Sequence, residues 1–251
     1  MTQAYDRFAP HFDAWQRAFG APYDALILPH VLEGLARHAP AARCIADLGA
    51  GTGELAVALA ARGYQVVAVD RSAPMLAIAR AKAEAADLPT AIEFVLQDLR
   101  VLRLETPAEV VLCVYTVMNQ LTGDGDLARA LTATRAALVP GGLFVFELNL
   151  AASYTRYWSG TETTRLADAV IVREHHRLPG SPVIEARVTI QRAHDGRVDE
   201  VTDRILQRPY DDAEVEAALT RAGFLLLERT SFNPFTPTEE PLKALWYARR
   251  P

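Results

Sequence analysis

The chain contains 251 residues, of which 50% are hydrophobic and 23% are charged, a composition typical of a globular rather than a disordered protein. Its 31 acidic residues outnumber its 26 basic residues, and the resulting formal charge of −5 argues against nucleic-acid binding through a general basic surface. Since domains average roughly 150 residues, the length fits one large domain or two small ones.

Signals for secretion or membrane insertion are not expected in this chain. Its first residues carry charge early, and no later stretch approaches the ~18 apolar residues that a membrane span needs. The two cysteines, Cys44 and Cys113, lie far apart and indicate neither a disulfide framework nor a metal-binding knuckle. We therefore expect a soluble, cytoplasmic protein, monomeric or homodimeric, that binds neither membranes nor nucleic acid.

The predicted elements begin with helical segments over residues 2–38, interrupted at Pro10, at Gly20–Pro22 and around Pro29. A regular alternation of apolar strands and amphipathic helices follows. Such an alternation is typical of a doubly wound α/β sheet whose parallel strands are covered by helices on both faces. The predicted strands cover residues 44–48, 65–70, 92–96, 110–115 and 143–148, and the predicted helices cover 54–62, 74–86 and 124–138, the last ended by Pro140-Gly141-Gly142.

The pattern changes after residue 166. Residues 183–191 alternate strictly between apolar and polar side chains, which is typical of a half-exposed antiparallel strand. With a turn at Asp195-Gly196, this predicts a three-stranded meander near residues 168–177, 183–193 and 198–208. The α/β pattern then resumes with a helix over 211–222 and strands over 224–231 and 243–249.

One glycine-rich motif carries most of the chemistry. Asp47-Leu48-Gly49-Ala50-Gly51-Thr52-Gly53 ends the first strand and opens a helix, where glycines allow a tight turn and close approach of a ligand. Asp70 ends the next strand, where a carboxylate can accept hydrogen bonds from the ribose hydroxyls of a nucleoside. The dinucleotide fingerprint needs a glycine at position 54, where this chain has Glu54, so a nicotinamide-dependent oxidoreductase is the weaker interpretation.

The segment from Cys44 to Gly53 resembles the cofactor motif of the class I S-adenosylmethionine-dependent methyltransferases, and Pro140-Gly141-Gly142 matches the turn that precedes their fifth strand. The opening Tyr5-Asp6-x-Phe8-Ala9-x-x-Phe12-Asp13 is similar to the N-terminal motif of small-molecule methyltransferases, with Phe12 in place of a tyrosine. The resemblance implies that S-adenosylmethionine binds, and S-adenosylhomocysteine forms, against Tyr5, Asp47, Gly49, Ala50, Gly51, Gly53, Asp70, Arg71, Met75, Asp98, Leu99, Val114 and Tyr115.

Within that set, the resemblance implies that Asp70 binds the ribose, that Arg71 and Met75 flank the adenine, and that Asp98 meets the adenine amino group. Asp47 has a structural alternative, since its carboxylate could instead hold the loop amides. The resemblance also predicts a single seven-stranded Rossmann-like domain over 1–251, built from a helical cap (1–40), a cofactor-binding core (41–150), an inserted β-meander lid (151–210) and a last helix with the final strands (211–251).

Tyr115, His176 and Glu147 are the candidate catalytic residues, each as a possible general base, with His175 as a further candidate. A histidine on an apolar face is more often a packing residue than a catalyst, and Glu147 could simply cap a loop. The aromatic cluster Tyr154, Tyr157 and Trp158 could form a substrate wall or anchor the meander to the body.

These features predict methyl transfer from S-adenosylmethionine to an oxygen or nitrogen atom of a small molecule. Three alternatives remain open at this point: a methyltransferase acting on RNA or protein, a nucleotide-binding oxidoreductase, and a cofactor-binding scaffold without catalysis. No cluster of metal ligands is apparent in the sequence, which disfavours a metal-dependent mechanism. The meander after the fifth strand is similar in architecture to the lid of amino-sugar dimethyltransferases.

Overall fold

The computed structural model describes residues 5–18, 23–194 and 197–251. They form a seven-stranded sheet surrounded by helices and a separate four-stranded antiparallel sheet. The strands are β1 Cys44–Leu48, β2 Gln65–Asp70, β3 Ile92–Leu96, β4 Ala108–Cys113, β5 Leu138–Asn149, β6 Thr161–Arg165, β7 Val170–Arg177, β8 Ile184–His194, β9 Arg197–Gln207, β10 Leu225–Phe232 and β11 Lys243–Arg249. The helices are α1 Ala9–Arg17, α2 Tyr23–His38, α3 Glu54–Ala60, α4 Ala73–Ala85, α5 Asp126–Ala137, α6 Ala151–Tyr157 and α7 Asp212–Arg221.

The larger sheet has the strand order β10-β11-β5-β4-β1-β2-β3. Strands β1 to β5 run parallel to one another, whereas β11 is antiparallel to both of its neighbours. This arrangement confirms the predicted seven-stranded Rossmann-like fold with an inserted antiparallel sheet. Strand β1 lies between β2 and β4, so the segments that follow these three strands meet at one edge of the sheet. In open α/β sheets, that carboxyl edge is where ligands bind.

Two expected interruptions of the N-terminal helices are absent. Pro10 lies in the first turn of α1, where a missing N–H costs nothing because that group has no partner within the helix. Pro29 lies inside α2, and the helix continues through it. The apolar face of α2 packs into the core, with Ile27, Val31 and Leu35 at most 2% exposed, and this burial offsets the lost hydrogen bond. The predicted break at Gly20–Pro22 lies outside the described residues.

The expected turn at Pro140-Gly141-Gly142 is part of strand β5. Helix α5 ends at Ala137, before the proline, and β5 starts at Leu138. The pairing of β4 with β5 shifts between Ala108 and Val110, so the Pro-Gly-Gly segment forms an irregularity in the strand. Gly141 has a φ of +79°, a conformation that few other residues adopt without strain.

The second sheet has four strands, one more than the expected meander. Its order is β6-β7-β8-β9, and β6, the added strand, lies at one edge. The sequence of β6, Thr-Glu-Thr-Thr-Arg, contains no apolar residue, so it has no hydrophobic alternation that could predict a strand. Helix α6 was not expected either, and the predicted hairpin turn at Asp195-Gly196 lies outside the described residues.

The N-terminal segment bridges the two sheets. The Ser72 hydroxyl donates to Asp6 at 2.7 Å, and the Thr52 hydroxyl donates to Asp13 at 2.6 Å, which attaches the segment to the carboxyl edge of the larger sheet. The backbone N–H of Phe8 donates to the Asp203 carboxylate of β9 at 3.2 Å. Helix α1 therefore lies over the edge where ligands bind. No helix among the described residues is long and apolar enough to cross a membrane.

Candidate active site

The glycine loop after β1 is held by the end of β2. The backbone N–H groups of Gly49 and Ala50 both donate to the Val69 carbonyl, at 2.8 and 3.0 Å. The N–H of Gly51 donates to Oδ2 of Asp70 at 2.9 Å, and the N–H of Ser72 donates to Oδ1 at 2.8 Å. Burial raises the pKa of Asp70, while these two backbone hydrogen bonds oppose the shift. The loop and Asp70 thus form one hydrogen-bonded unit.

The three glycines of the motif have different surroundings. A Cβ atom on Gly49 would come within 2.4 Å of the Val117 side chain, and one on Gly53 within 2.6 Å of Ala79 in α4. A Cβ atom on Gly51 would be 4.0 Å from the nearest neighbour, and Gly51 lines the open cleft. Gly49 and Gly53 therefore allow close packing within the protein, whereas Gly51 leaves room for a ligand. The structure places Gly53 against α4 and away from the cleft.

Asp47 lies beneath the loop and is 2% exposed. Its Oδ2 atom is buried and has no hydrogen-bond partner among the described residues. Burial raises the pKa of Asp47 to about 7, and the nearby carboxylate of Asp70 adds to the shift. Because Val69 and Asp70 bind the loop amides, the alternative in which Asp47 holds these amides is not what the structure shows. Asp47 is a buried acceptor that lacks a donor.

The cleft at this edge brings together nine of the thirteen expected cofactor residues, namely Tyr5, Gly49, Gly51, Asp70, Arg71, Met75, Asp98, Leu99 and Tyr115. Asp47, Ala50 and Val114 line a smaller adjoining cavity behind the loop, which Tyr115 also borders. The cleft is also lined by residues outside those thirteen, including Phe12, Gln97, Arg100, Val117 and Gln120. Most of these lie on turns or on α1, where no periodic pattern identifies a residue that faces a ligand.

Asp98 contacts the cleft but is already paired. Its carboxylate accepts hydrogen bonds from the backbone N–H and the guanidinium of Arg100, and these bonds lower its pKa. Arg100 also contacts Asp126 at 3.3 Å. Asp98 therefore caps the short 3₁₀ helix Leu99–Val101 and orients Arg100 at the cleft wall.

The turn after β4 has an unusual backbone. Tyr115 and Thr116 have φ values of +63° and +61°, and neither is a glycine. Each such conformation costs of order 1–3 kcal/mol and persists only where its surroundings impose it. Here Gln207, at the end of β9, donates from Nε2 to Oγ1 of Thr116 at 3.0 Å, and the N–H of Asn119 donates to the Thr116 carbonyl at 3.1 Å. The predicted strand over 110–115 therefore ends early, at Cys113.

A second cavity of about 370 Å³ lies between the larger sheet and the second sheet. Tyr5, Phe12 and Tyr115 border both this cavity and the cleft at the carboxyl edge of the sheet, so the two spaces adjoin. The volume is within the usual range of small-molecule sites, roughly 300–1,000 Å³. The lining is largely aromatic, with Phe8, Trp15, Tyr157, Trp158 and Phe235 adding to the shared wall.

Comparison with known proteins agrees with this geometry. The family model described as a methyltransferase domain matches residues 45–142, from β1 into β5. A protein of Geobacillus sp. (strain WCH70), whose name assigns it to the methyltransferases, is 29% identical over 251 residues, covering 98% of this chain and 99% of that protein. The chain is an S-adenosylmethionine-dependent methyltransferase with the class I, Rossmann-like fold.

Two solved structures resemble the methyltransferase over nearly its whole length. The CcbJ methyltransferase of Streptomyces caelestis is 27% identical, covers 99% of this chain and 98% of its own, and has a TM-score of 0.79. The sugar N-methyltransferase KedS8 of Streptoalloteichus sp. ATCC 53650 is 21% identical, covers 100% of this chain and 94% of its own, and has a TM-score of 0.75. At that identity, KedS8 shows the shared fold alone.

Two of the three candidate bases do not line the methyltransferase's second cavity. His176 is exposed on β7 and pairs across the sheet with Glu185. The face of β7 that points inward carries the odd-numbered residues Ile171 and Arg173, so the even-numbered His176 faces away from the cavity. Glu147 is fully buried, and its Oε1 lies 2.7 Å from Nζ of Lys243. Tyr115, the remaining candidate, lies in the shared wall.

His175 is on the inward face but is already engaged. Its Nε2 lies 3.3 Å from Nη2 of Arg173, and its Nδ1 lies 3.3 Å from the Gly160 carbonyl. A neutral imidazole with the proton on Nδ1 satisfies both contacts. Burial, with a contribution from Arg173, lowers the pKa of His175 to about 4, so the ring is uncharged at neutral pH. His175 orients Arg173 instead of facing the cavity.

Arg173 is a cavity residue that sequence reasoning missed. Its guanidinium lies 5.0 Å from the Trp15 ring and 5.7 Å from the Trp158 ring, and it pairs with Glu162 at 3.0 Å. Its charge also acts on Tyr5, where it opposes the burial that raises the pKa of that phenol to about 12. In the sequence, Arg173 is indistinguishable from the other charged residues of the meander, because its inward direction depends on the register of β7.

The aromatic cluster divides between its two expected roles. Tyr157 and Trp158 line the second cavity. Tyr154 is 2% exposed, and its hydroxyl donates to Oε1 of Gln207 at 3.2 Å, which connects α6 to the end of β9. Two members thus form a cavity wall, and the third joins the second sheet to the body.

Proposed function

We propose that the enzyme transfers the methyl group of S-adenosylmethionine to a nitrogen or oxygen atom of a small molecule held in the second cavity. The observation that carries this proposal is the wall of Tyr5, Phe12 and Tyr115, which separates the cofactor cleft from a cavity of about 370 Å³. An in-line transfer requires two bound molecules in direct contact, and two adjoining spaces bordered by the same three residues can hold a cofactor and an acceptor side by side.

The residues of the cleft fit the cofactor. The unpartnered Oδ2 of Asp47 suits the ammonium group of the methionine part, which would satisfy this buried oxygen. The space in front of Gly51 accepts a ligand that a side chain would exclude. Each oxygen of Asp70 accepts one backbone hydrogen bond and retains capacity for a ribose hydroxyl. Arg71 and Met75 would then flank the adenine, with Asp98 near its edge.

When bound, S-adenosylmethionine would supply a methyl group on a positively charged sulfur. An acceptor lone pair would bond to the methyl carbon as the carbon–sulfur bond breaks and S-adenosylhomocysteine leaves. The protein's contribution is alignment, since the cofactor carries the chemical activation. Tyr115, fixed by its left-handed backbone, would set the distance between the two bound molecules. The aromatic lining of the second cavity would exclude water from the line of transfer.

We further propose that the second sheet acts as a lid on an acceptor of limited size. Trp158, which directly follows α6, and Arg173, which lies on β7, close the cavity on the side opposite the larger sheet. A sugar or another small natural product fits this enclosure of about 370 Å³. An RNA or folded protein would have to insert a protruding nucleotide or side chain. We expect the whole chain to act as one domain, with residues 1–40 as its cap.

The decisive experiment is a transfer assay with methyl-labelled S-adenosylmethionine. The purified enzyme is incubated with a panel of small amines, amino sugars and phenols, and in parallel with total RNA and with a protein extract. Labelling of one or more small molecules supports the proposal. Labelling confined to the RNA or protein fractions would overturn the small-molecule assignment, while binding of S-adenosylhomocysteine without any transfer would favour a non-catalytic scaffold.

A further inference from the structure

Lys243 is a charged residue at one end of the second cavity. It is directly opposite Asn149 in the pairing of β11 with β5, so the two side chains lie on the same face of the sheet, and both line the cavity. Glu147, two residues earlier on β5, is fully buried and lies 2.7 Å from Nζ of Lys243. This carboxylate is not part of the cavity lining, and it stabilises the charge of the ammonium group.

Thr116 adds a hydroxyl donor to the same end. Gln207 joins it to Asn149, because Oε1 of Gln207 accepts from Asn149 at 3.1 Å while Nε2 donates to Oγ1 of Thr116 at 3.0 Å. Since the Thr116 oxygen is the acceptor in that bond, its own hydrogen must be donated elsewhere. No described residue accepts it, and Thr116 lines the cavity.

The amide oxygens at this end are, in contrast, each engaged by a donor within the protein. Oε1 of Gln207 receives a second hydrogen bond from Tyr154 at 3.2 Å, and Oδ1 of Asn149 receives one from Ser153 at 3.2 Å. Glu162, the carboxylate of the lining, is paired with Arg173. The end formed by Thr116, Asn149 and Lys243, which we call the donor end, therefore presents hydrogens and positive charge to a ligand.

We propose that the donor end binds an oxyanion of the methyl acceptor, most simply a carboxylate. A carboxylate accepts hydrogen bonds only, and bonds to a charged donor are about twice as strong as neutral ones. An ammonium group in this place would be repelled by Lys243. The aromatic side chains of the cavity, among them Phe8 and Trp15, would pack against the apolar part of the acceptor. This proposal rests on the second cavity being the acceptor site.

The test compares phenylacetate with phenylacetamide, two probes of nearly the same shape that differ in charge. Each is titrated calorimetrically into enzyme saturated with S-adenosylhomocysteine, whose own binding is measured first. We expect phenylacetate to bind about tenfold more tightly, the ratio that corresponds to exchanging a neutral hydrogen bond for a charged one. Equal affinities, or a preference for the amide, would overturn the carboxylate assignment without affecting the cofactor assignment. Failure to bind S-adenosylhomocysteine would instead contradict the proposed function.

Variants of the donor end test whether the anion binds there. The double variant Glu147→Gln/Lys243→Met removes both charges together, so no unpaired charge is left buried, and we expect it to bind the two probes equally. Thr116→Val should reduce the preference for phenylacetate several-fold, whereas Thr116→Ser, which keeps the hydroxyl, should retain it. If the preference survives in the double variant and in Thr116→Val but disappears in Arg173→Gln, the anion binds at the other end and the proposal is wrong. Thr116→Val and its serine control decide the question if the double variant does not fold.

Discussion

The backbone N–H of Gly51 donates to the carboxylate of Asp70 across 2.9 Å, so the glycine loop and the end of β2 are one hydrogen-bonded unit. We predict that Asp70→Ala weakens binding of S-adenosylhomocysteine by ~1–3 kcal/mol, because charged hydrogen bonds to the ribose are lost. The measurement is calorimetric titration, with thermal melting of the apo variant to record any loss of stability in the loop. Asp199→Ala, at an exposed carboxylate of β9, is the control. Unchanged affinity in Asp70→Ala would contradict the assignment of the ribose site.

Gly51 and Gly53 offer a matched pair of variants. Gly53→Ala places a methyl group 2.6 Å from Ala79, so we predict a loss of folding stability of about 1–3 kcal/mol from overpacking and strain. Gly51→Ala meets no protein atom closer than 4.0 Å, so its stability loss should be smaller while its affinity for S-adenosylhomocysteine falls at least as far as that of Gly53→Ala. Urea unfolding and calorimetry, performed on both variants, separate the two effects. The opposite ranking would place the ligand elsewhere.

The raised pKa of Asp47 predicts a pH dependence of apo stability. Its pKa is about 7 in the folded protein against 3.8 for the ordinary side chain, so the folded state holds a proton that the unfolded state releases. The stabilisation is therefore fully present below pH 4 and is lost as pH rises through 7. We expect this component of the unfolding free energy to disappear in Asp47→Asn, as measured by urea unfolding at several pH values between 4 and 8.

Cofactor binding should reverse that trend. A cationic ligand group beside Asp47 favours the ionised carboxylate, so affinity for S-adenosylhomocysteine should increase as pH rises through 7. Asp47→Asn should bind more weakly and without this dependence. Wild-type affinity that is flat between pH 5.5 and 7.5 would show that no positive ligand group approaches Asp47.

The two neighbouring histidines should behave differently. His176 is exposed, so His176→Ala should leave the transfer rate, its pH profile and cofactor affinity essentially unchanged. His175→Ala removes the acceptor for Arg173, so we expect a higher KM for the acceptor with little change in cofactor affinity. Both are measured with whichever acceptor the labelling panel identifies. Loss of the pH dependence in His176→Ala would restore that residue as a general base.

The buried pair Glu147–Lys243 should respond asymmetrically to substitution. Lys243→Met leaves the fully buried Glu147 without its cation, which typically costs about 3–5 kcal/mol of stability. The double variant Glu147→Gln/Lys243→Met should recover most of that loss. Chemical unfolding of the single and double variants checks the prediction, and equal stability in both would mean that the pair contributes nothing to folding.

Much of the sheet could be predicted because its strands are short, apolar and separated by clear turns. Strand β2 was predicted with its observed bounds, Gln65–Asp70, and the helix predicted over 74–86 is α4, Ala73–Ala85. Strand β6 and the continuity of α2 through Pro29 could not be predicted. The first depends on pairing with β7, and the second depends on burial of Ile27 and Val31, and neither tertiary effect leaves a local signal.

In the candidate site, the motif residues and the aromatic residues Tyr157 and Trp158 could be identified from the sequence, whereas the charged residue Arg173 of the second cavity could not. Gly51 follows β1, and Asp70 is the last residue of β2. A parallel sheet places the carboxyl ends of neighbouring strands side by side, independently of the sequence elsewhere. The direction of Arg173, in contrast, depends on the register of β7. Because neighbouring residues of a strand lie on opposite faces of the sheet, the odd-numbered positions of β7 face inward and His176 faces outward.

The left-handed turn at Tyr115–Thr116 restricts how this enzyme can diversify. Residues of the second sheet that line the second cavity can change without altering this turn, but Gln207 holds Thr116 through its amide, and the N–H of Arg208 donates to the Asn119 carbonyl at 2.8 Å. These two positions at the end of β9 connect the variable part of the molecule to the wall beside the cofactor. We expect inherited substitutions to accumulate along the rest of β9 and to be rare at Gln207 and Arg208. A fragment of the chain that ends before residue 207 would lose the hydrogen bond that holds Thr116.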